Sequence, residues 1–331
     1  MKKRKTAIVT GGAGFIGSHM VDLLIQNNFN VKVLDNLSGG HKKNLNHHKK
    51  NSRLKFINID ICKLSSNSKL FKKVDYVFHF AGIGDIVPSI ENPEKYIKTN
   101  VQGTIKVLEM SRKENIKKFV YAASASCYGK TEKAVDENHK INLEHPYALS
   151  KYLGERAVFH WHKVFGLPAN SIRIFNAYGP RVRTTGAYGA VIGVFFKQKI
   201  KNKPLTIVGD GKQSRDFIHV EDVVKAFLLA AKTKLSGRVY NVGTGKPQSV
   251  NHLVSLIGGR TVSIPDRPGE PRKSFANISR IKKELKWRPT IKFNDGLRAM
   301  LKEIYKWKDA PLWTPKKIKK ATKVWFNYLS N

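Results

Sequence analysis

Tyr147 and Lys151 stand four residues apart in the stretch HPYALSKYLGE, and Ser124 lies upstream in YAASASCYG. Four residues is about one helical turn, so on a helix the phenol and the ammonium leave the same face. A lysine cation beside a tyrosine favours the phenolate and draws down a pKa that starts near ~10. Such a group is a base able to take a proton from a hydroxyl near neutral pH. A YxxxK pair alone is common; its weight here comes from a second pattern at the start of the chain.

Residues 7–10 are apolar and run into Gly11-Gly12-Ala13-Gly14-Phe15-Ile16-Gly17, after which a helical pattern begins. Gly12, Gly14 and Gly17 fit GxGxxG, and Gly11, Gly14 and Gly17 fit GxxGxxG. The glycines suit a tight turn, close approach of backbone to a pyrophosphate, and close packing of helix on strand. The helix start then offers free N–H groups to phosphate. Asp35 ends the next strand about twenty residues on, where an acid binds the ribose hydroxyls of a dinucleotide and repels a 2′-phosphate, favouring NAD over NADP. Asp60, after the third strand, is placed either to meet the adenine or to cap the turn that follows.

Elements that would position these residues are spaced along the first half. Apolar, β-branched runs at 5–10, 31–34, 54–58, 74–80, 117–123 and 171–175 alternate with helical patterns at 15–26, 94–113 and 147–164. Continuous apolar strands separated by helices predict an α/β fold with a doubly wound parallel sheet, a Rossmann domain. A late strand at 239–242 returns to the sheet after an excursion. The expected organisation is a cofactor domain of residues 1–175 plus about 217–242, with a smaller discontinuous substrate lobe from 176–216 and 243–331.

Of the 331 residues 41% are hydrophobic, enough for an ordinary core, and no apolar run reaches the ~18 residues of a membrane span. The basic start MKKRK leads into a glycine-punctuated strand and turn rather than a secretory signal. Cys62 and Cys127 are the only cysteines, which fits a cytoplasmic protein. The formal charge of +37 raises nucleic-acid or anionic-membrane binding. Only 15 of the 61 basic residues are Arg, and the lysines are spread from end to end. That is the pattern of a solvated surface, so no specific nucleic-acid partner is expected. No metal is expected either, because His47-His48 and the pair His160 and His162 lack Cys or carboxylate partners at zinc spacing.

Seven motifs fall in one order: TGGAGFIGSH, Asp35-Asn36-Leu37-Ser38-Gly39, HFAG at 79–82, Tyr128-Gly129, YxxxK, RIFNAYGP at 173–180 and GDGKQSRDFIHVEDV at 209–223. With them, nearly the whole chain resembles the extended short-chain dehydrogenase/reductase family, and within it the NAD-dependent nucleotide-sugar epimerases and dehydratases. The resemblance implies NAD held by Gly11, Gly14, Phe15, Ile16, Gly17, Asp35, Asn36, Ser38, Gly39, Asp60, Ile61, Phe80, Ala81, Gly82, Asn100, Tyr147 and Lys151. It implies Tyr147 as the base, Lys151 as the residue that lowers its pKa and holds the nicotinamide ribose, and Ser124 as hydrogen-bond partner of the reacting hydroxyl. Hydride passes from the same carbon to NAD and returns to the other face of the keto sugar, so net redox is zero.

Neighbouring residues select among the family's reactions. Dehydratases resembling this chain place acids just after the catalytic Ser or Thr, and decarboxylases a Glu two residues before the YG tyrosine. Ala125 and Ser126 hold those positions here, and neither serves as acid or base. Epimerisation of a nucleotide sugar at C4 is therefore expected. Dehydration or decarboxylation is the alternative within the family, and a catalytically idle NAD-binding regulatory or nucleic-acid-binding protein the alternative outside it.

On the substrate side the resemblance assigns Ser124, Ser126, Asn176, Arg215, Arg267 and Ser274. The two arginines suit a diphosphate through paired, charge-assisted hydrogen bonds. GAYGAVI at 186–192 resembles the uridine-lining stretch of UDP-N-acetylhexosamine 4-epimerases. Ser274, before Phe275, stands where a small residue leaves room for an N-acetyl group, so UDP-linked hexoses and N-acetylhexosamines are both expected. Gly84 and Asn277 depart from the family pattern, standing where a phosphate-contacting lysine and an acid are usual. The helices at 94–113 and 147–164 resemble those that pair in family homodimers. Ile318, Ala321, Trp325 and Tyr328 form one stripe of a terminal helix, which is expected to dock on its own lobe.

Overall fold

The computed structural model describes residues 4–65, 67–182, 191–266 and 271–328. Seven strands pair in parallel: β1 (Thr6–Thr10), β2 (Asn30–Asp35), β3 (Leu54–Asn58), β4 (Tyr76–His79), β5 (Lys118–Ser124), β6 (Ala169–Ile174) and a last strand, Arg238–Val242. Their order across the sheet is Arg238–Val242, β6, β5, β4, β1, β2, β3. The chain begins centrally at β1, winds out to β3, then crosses to β4 and winds out the other way. The β1/β4 junction is thus the switch point, where a crevice opens at the carboxyl ends of the strands.

Alternate residues of each strand feed opposite faces. On one face α1 (Phe15–Gln26) and the helix Val220–Lys232 pack Met20, Leu24 and Phe227 against Val9, Val33 and Val120. On the other, Val107, Leu108 and Val158, from Thr104–Lys113 and Pro146–Phe165, cover Ile8, Val77 and Phe119. Each such side chain contributes about 1.5–3 kcal/mol on burial, and together they hold the crevice edges in register.

The helical pattern at 94–113 does not give one α-helix. Pro93–Ile97 and Thr104–Lys113 are joined by a π-helical turn, Lys98–Gly103. Buried Asn100 sits in that turn, its Oδ1 accepting from the Ile83 N–H at 2.7 Å and its Nδ2 donating to Ser150 Oγ at 2.9 Å. A polar side chain with partners on two sides overrides the 3.6-residue period, and such turns recur at functional sites.

A third apolar cluster gathers Tyr178, Phe195, Phe196, Leu205, Phe217, Leu253, Leu297 and Trp307. Around it Leu205–Val208 pairs in parallel with Thr261–Ile264, and Ser214–Arg215 lies between Gln248–Ser249 and Lys273–Ser274. The terminal helix, Pro315–Tyr328, buries Ile318, Thr322 and Trp325, while Tyr328 is exposed. Its most extensive packing against another element is on the helix Val87–Glu91 beside the sheet, which the expected docking on its own lobe did not foresee. Among the described residues no helix is long and apolar enough to cross a membrane.

Candidate active site

The helix Pro146–Phe165 begins with proline at its first position, and His145 Nδ1 caps it by accepting from the Ala148 N–H at 3.1 Å. Gly154 lets the helix lie flat on the sheet: a Cβ there would come within 2.3 Å of the Tyr121 hydroxyl. The Tyr147 N–H donates to Ser89 Oγ at 3.1 Å, fixing the first turn. Tyr147 and Ser124 line the same cleft, and Ser124 lies near enough to lower the phenol's pKa. Ser124, at the end of β5, also accepts from Ser126 Oγ at 2.8 Å. Lys151, one turn along, is buried with its Nζ 4.5 Å from the centroid of the Tyr121 ring.

Burial pushes the Tyr147 phenol above its usual pKa, against the lowering effect of neighbouring Ser124, and nearby Asp85 and Cys127 push the same way as burial. Burial also pulls the Lys151 ammonium down to about 7, with Glu155 opposing. The lowering of the phenol by lysine, expected from the spacing, does not appear; burial sets the direction of the shift.

At the switch point the glycine turn forms a cradle. Gly11 has a φ of +67°, and a Cβ on it would lie 2.7 Å from the Ala81 nitrogen; one on Gly17 would lie 2.2 Å from the Gly11 carbonyl oxygen. Gly14 precedes α1, whose first turn, holding Phe15, Ile16 and Gly17, has neither a side-chain cap nor an acid. Free N–H groups at the positive end of a helix are what a diphosphate needs. Buried Asp35 ends β2, its two oxygens accepting from the Ala13 and Leu37 N–H groups at 2.9 and 2.7 Å. Asn36 accepts from the Ser38 N–H, and Ser38 and Gly39 are exposed beyond it. Asp60 caps the turn Ile61–Lys63 by accepting from the Cys62 N–H at 2.8 Å, and Ile61 is buried behind it. Phe80, Ala81 and Gly82 follow β4; a Cβ on Gly82 would come within 2.9 Å of Asn100 Oδ1 and 3.7 Å of Lys151 Nζ. The cradle fits a dinucleotide, because bulk is excluded where backbone must meet phosphate and an acid closes the far end. NAD supplies a hydride acceptor with a positively charged nicotinamide; the proton chemistry is left to the side chains.

From this floor a cleft of about 770 Å³ opens, lined by Ser124, Ser126, Tyr147, Asn176, Arg215 and Ser274. Arg215 and Ser274 are neighbours in register on paired strands. Asp216 holds that corner: its carboxylate accepts from the N–H groups of Thr244, Gly245 and Ala276. Arg267 and most of the 186–192 stretch lie outside the described residues, although Val191 and Ile192 line the cleft.

Sequence reading missed the polar frame. Glu155, one turn beyond Lys151, pairs with Arg173 of β6 at 2.6 Å, both buried, and accepts from Ser171. Arg173 also donates to the Tyr128 hydroxyl, which donates to Asn241 of the last strand. A buried charge of either sign in a strand or helix signals such a partner, but the chain distance hides which one. Asp85, at a φ of +77°, lines the cleft as well. His47 and His48 do meet a carboxylate: both Nε2 atoms lie 2.7–2.8 Å from Asp22, whose other oxygen pairs with Arg181. The guanidinium already balances that charge.

Fold, cradle and acid–base pair together define a nucleotide-cofactor enzyme of the extended short-chain type. The family model for the NAD dependent epimerase/dehydratase family matches residues 7–243, and the chain belongs to that family. A putative UDP-glucose 4-epimerase of Methanocaldococcus jannaschii is 41% identical over 303 residues, 89% of this chain and 96% of the relative. The chain is also similar to a UDP-N-acetylglucosamine 4-epimerase from Methanobrevibacter ruminantium, solved with UDP-N-acetylmuramic acid. That structure is 33% identical with a TM-score of 0.86, over 91% of this chain and 98% of the other. A UDP-glucose 4-epimerase of Thermotoga maritima, solved with UDP-glucose, gives 34% and 0.84 over 91% and 99%.

Proposed function

We propose that this protein interconverts the C4 epimers of UDP-linked hexoses and N-acetylhexosamines through a transient 4-keto sugar. The observation that carries the reading is that Ser124 and Tyr147 line one cleft with Arg215, Asn176 and Ser274. Tyr147 takes the proton of the C4 hydroxyl at its phenolic oxygen while Ser124 holds that hydroxyl in line, and the C4 hydrogen leaves as hydride. The keto sugar turns over, receives the hydride on its other face, and recovers the proton from Tyr147. Positions 125 and 126 offer no acid for elimination or decarboxylation. Asp35 at the end of β2 supports NAD over NADP.

In this reading residues 1–175 with 217–242 hold the cofactor, while 176–216 and 243–331 hold the nucleotide sugar, Arg267 included. Leu149 and Leu153, four apart on the base's helix and each 38% exposed, support a homodimer built on that helix. Two free cysteines, one buried and one half-buried, support a cytoplasmic location.

The test is incubation with a panel of UDP-hexoses and UDP-N-acetylhexosamines, with products resolved by NMR. UDP-glucose and UDP-N-acetylglucosamine should each reach a mixture of C4 epimers, and Ser274→Tyr should abolish conversion of the acetylated sugar alone. A dehydrated product, a pentose product or no conversion would overturn the reading.

A further inference from the structure

The terminal helix crosses from one half of the molecule to the other. Its approach is tied to the lobe: the main-chain carbonyls of Lys308 and Trp313 accept from Lys197 and Gln198, both on the buried helix Val191–Ile200, and Trp313 packs against the lobe's apolar cluster. The helix Pro315–Tyr328 then lies on Val87–Glu91 of the sheet half. That second helix is part of the reaction centre's surroundings, since its Ser89 holds the Tyr147 N–H and the preceding Asp85 and Ile86 line the cleft. Ile318, Trp325 and Tyr328 line the same cleft. Ile318 and Trp325 are 5% and 4% exposed, while Lys316, Lys317, Lys319, Lys320 and Lys323 face away into solvent.

We propose that this helix is a strap that walls the sugar end of the cleft, with buried Ile318 and Trp325 anchoring it on the helix Val87–Glu91. The inference rests on the epimerase reading. Mechanism gives the wall its use. Between the two hydride transfers the keto sugar must rotate without leaving, because its escape strands the hydride on the cofactor and stops the enzyme. A wall that bridges the two halves keeps the intermediate in and bulk water out.

The test uses full-length protein and three variants: Trp325→Ala, Trp325→Phe, and Lys319→Ala on the solvent face. Trp325→Ala should raise KM for the nucleotide sugar by roughly tenfold, the scale of a lost apolar contact. It should also build up enzyme-bound NADH fluorescence during turnover as keto sugar escapes, while NAD binding is unchanged. Trp325→Phe should restore most of the loss, and Lys319→Ala should behave as the unaltered protein. A merely structural role would lower the unfolding midpoint without NADH build-up. Hydrogen exchange on the unaltered protein gives a second measure that needs no variant to fold. UDP-sugar, but not UDP, should slow exchange across 315–328. An active enzyme whose KM, NADH signal and exchange ignore both Trp325→Ala and the sugar would overturn the strap and leave the epimerase reading standing. A full-length protein that converts no nucleotide sugar would remove both.

Discussion

Burial works against both members of the Tyr147–Lys151 pair, raising the phenol's pKa and drawing the ammonium down to about 7. At neutral pH the phenol alone is then a protonated, weak base, and a positive charge brought into the pocket has to supply the drop. The oxidised nicotinamide carries such a charge, which ties base strength to the presence of cofactor. Tyr147→Phe keeps ring packing, including the stacked contact with His145 at 5.9 Å, and removes only the ionisable oxygen. Turnover should fall by at least the ~10²-fold of lost general base catalysis while NAD stays bound; a near-normal kcat in a steady-state assay would refute the assignment. Type and local spacing single out Tyr147 and Lys151 in the sequence, and the family resemblance singles out Ser124. Asp85 and Asp22 were not legible there, since each acquires its partners only when distant segments meet.

The helix that carries the base owes its position to elements on both sides. Its N-cap His145 with Pro146 at the first position, the close packing at Gly154, and the buried Glu155–Arg173 pair fix both its start and its rotation against β5 and β6. Removing one member of a buried ion pair leaves an uncompensated charge, which costs about 3–5 kcal/mol. Arg173→Met should lower the urea midpoint on that scale, and pairing it with Glu155→Leu should recover much of the loss. A single variant as stable as the parent would show that the pair does not hold the helix. The seven sheet strands were readable from apolar runs, because strands covered on both faces need them. The two- to four-residue strands of the lobe carry too few residues for any period to register. The π-turn at Lys98–Gly103 was hidden for another reason: the inward polar Asn100, rather than apolar spacing, dictates it.

At the scale of the molecule, one cleft draws residues from the seven-stranded sheet and from the third apolar cluster, and the chain as a whole carries a formal net charge of +37. Exposed Leu149 and Leu153 lie on the base's helix, so the proposed dimer face and the catalytic residues share one element. Light scattering at micromolar concentration should give a dimer, and Leu149→Glu with Leu153→Glu should give a monomer; an unaltered protein that is monomeric throughout would remove the dimer. The terminal helix shows why whole-molecule placement resists sequence reading. Its stripe announces that it will be buried but not which surface supplies the cover.

The central claim is that one carbon gives up its hydrogen as hydride and receives that same hydrogen back. Turnover of the converted UDP-hexose in heavy water, followed by proton NMR, measures this directly. The account predicts full conversion to the C4-epimer mixture with no deuterium at C3, C4 or C5. Solvent deuterium at C4, or at the carbons beside it, would mean that a proton rather than a hydride was removed, and would contradict it.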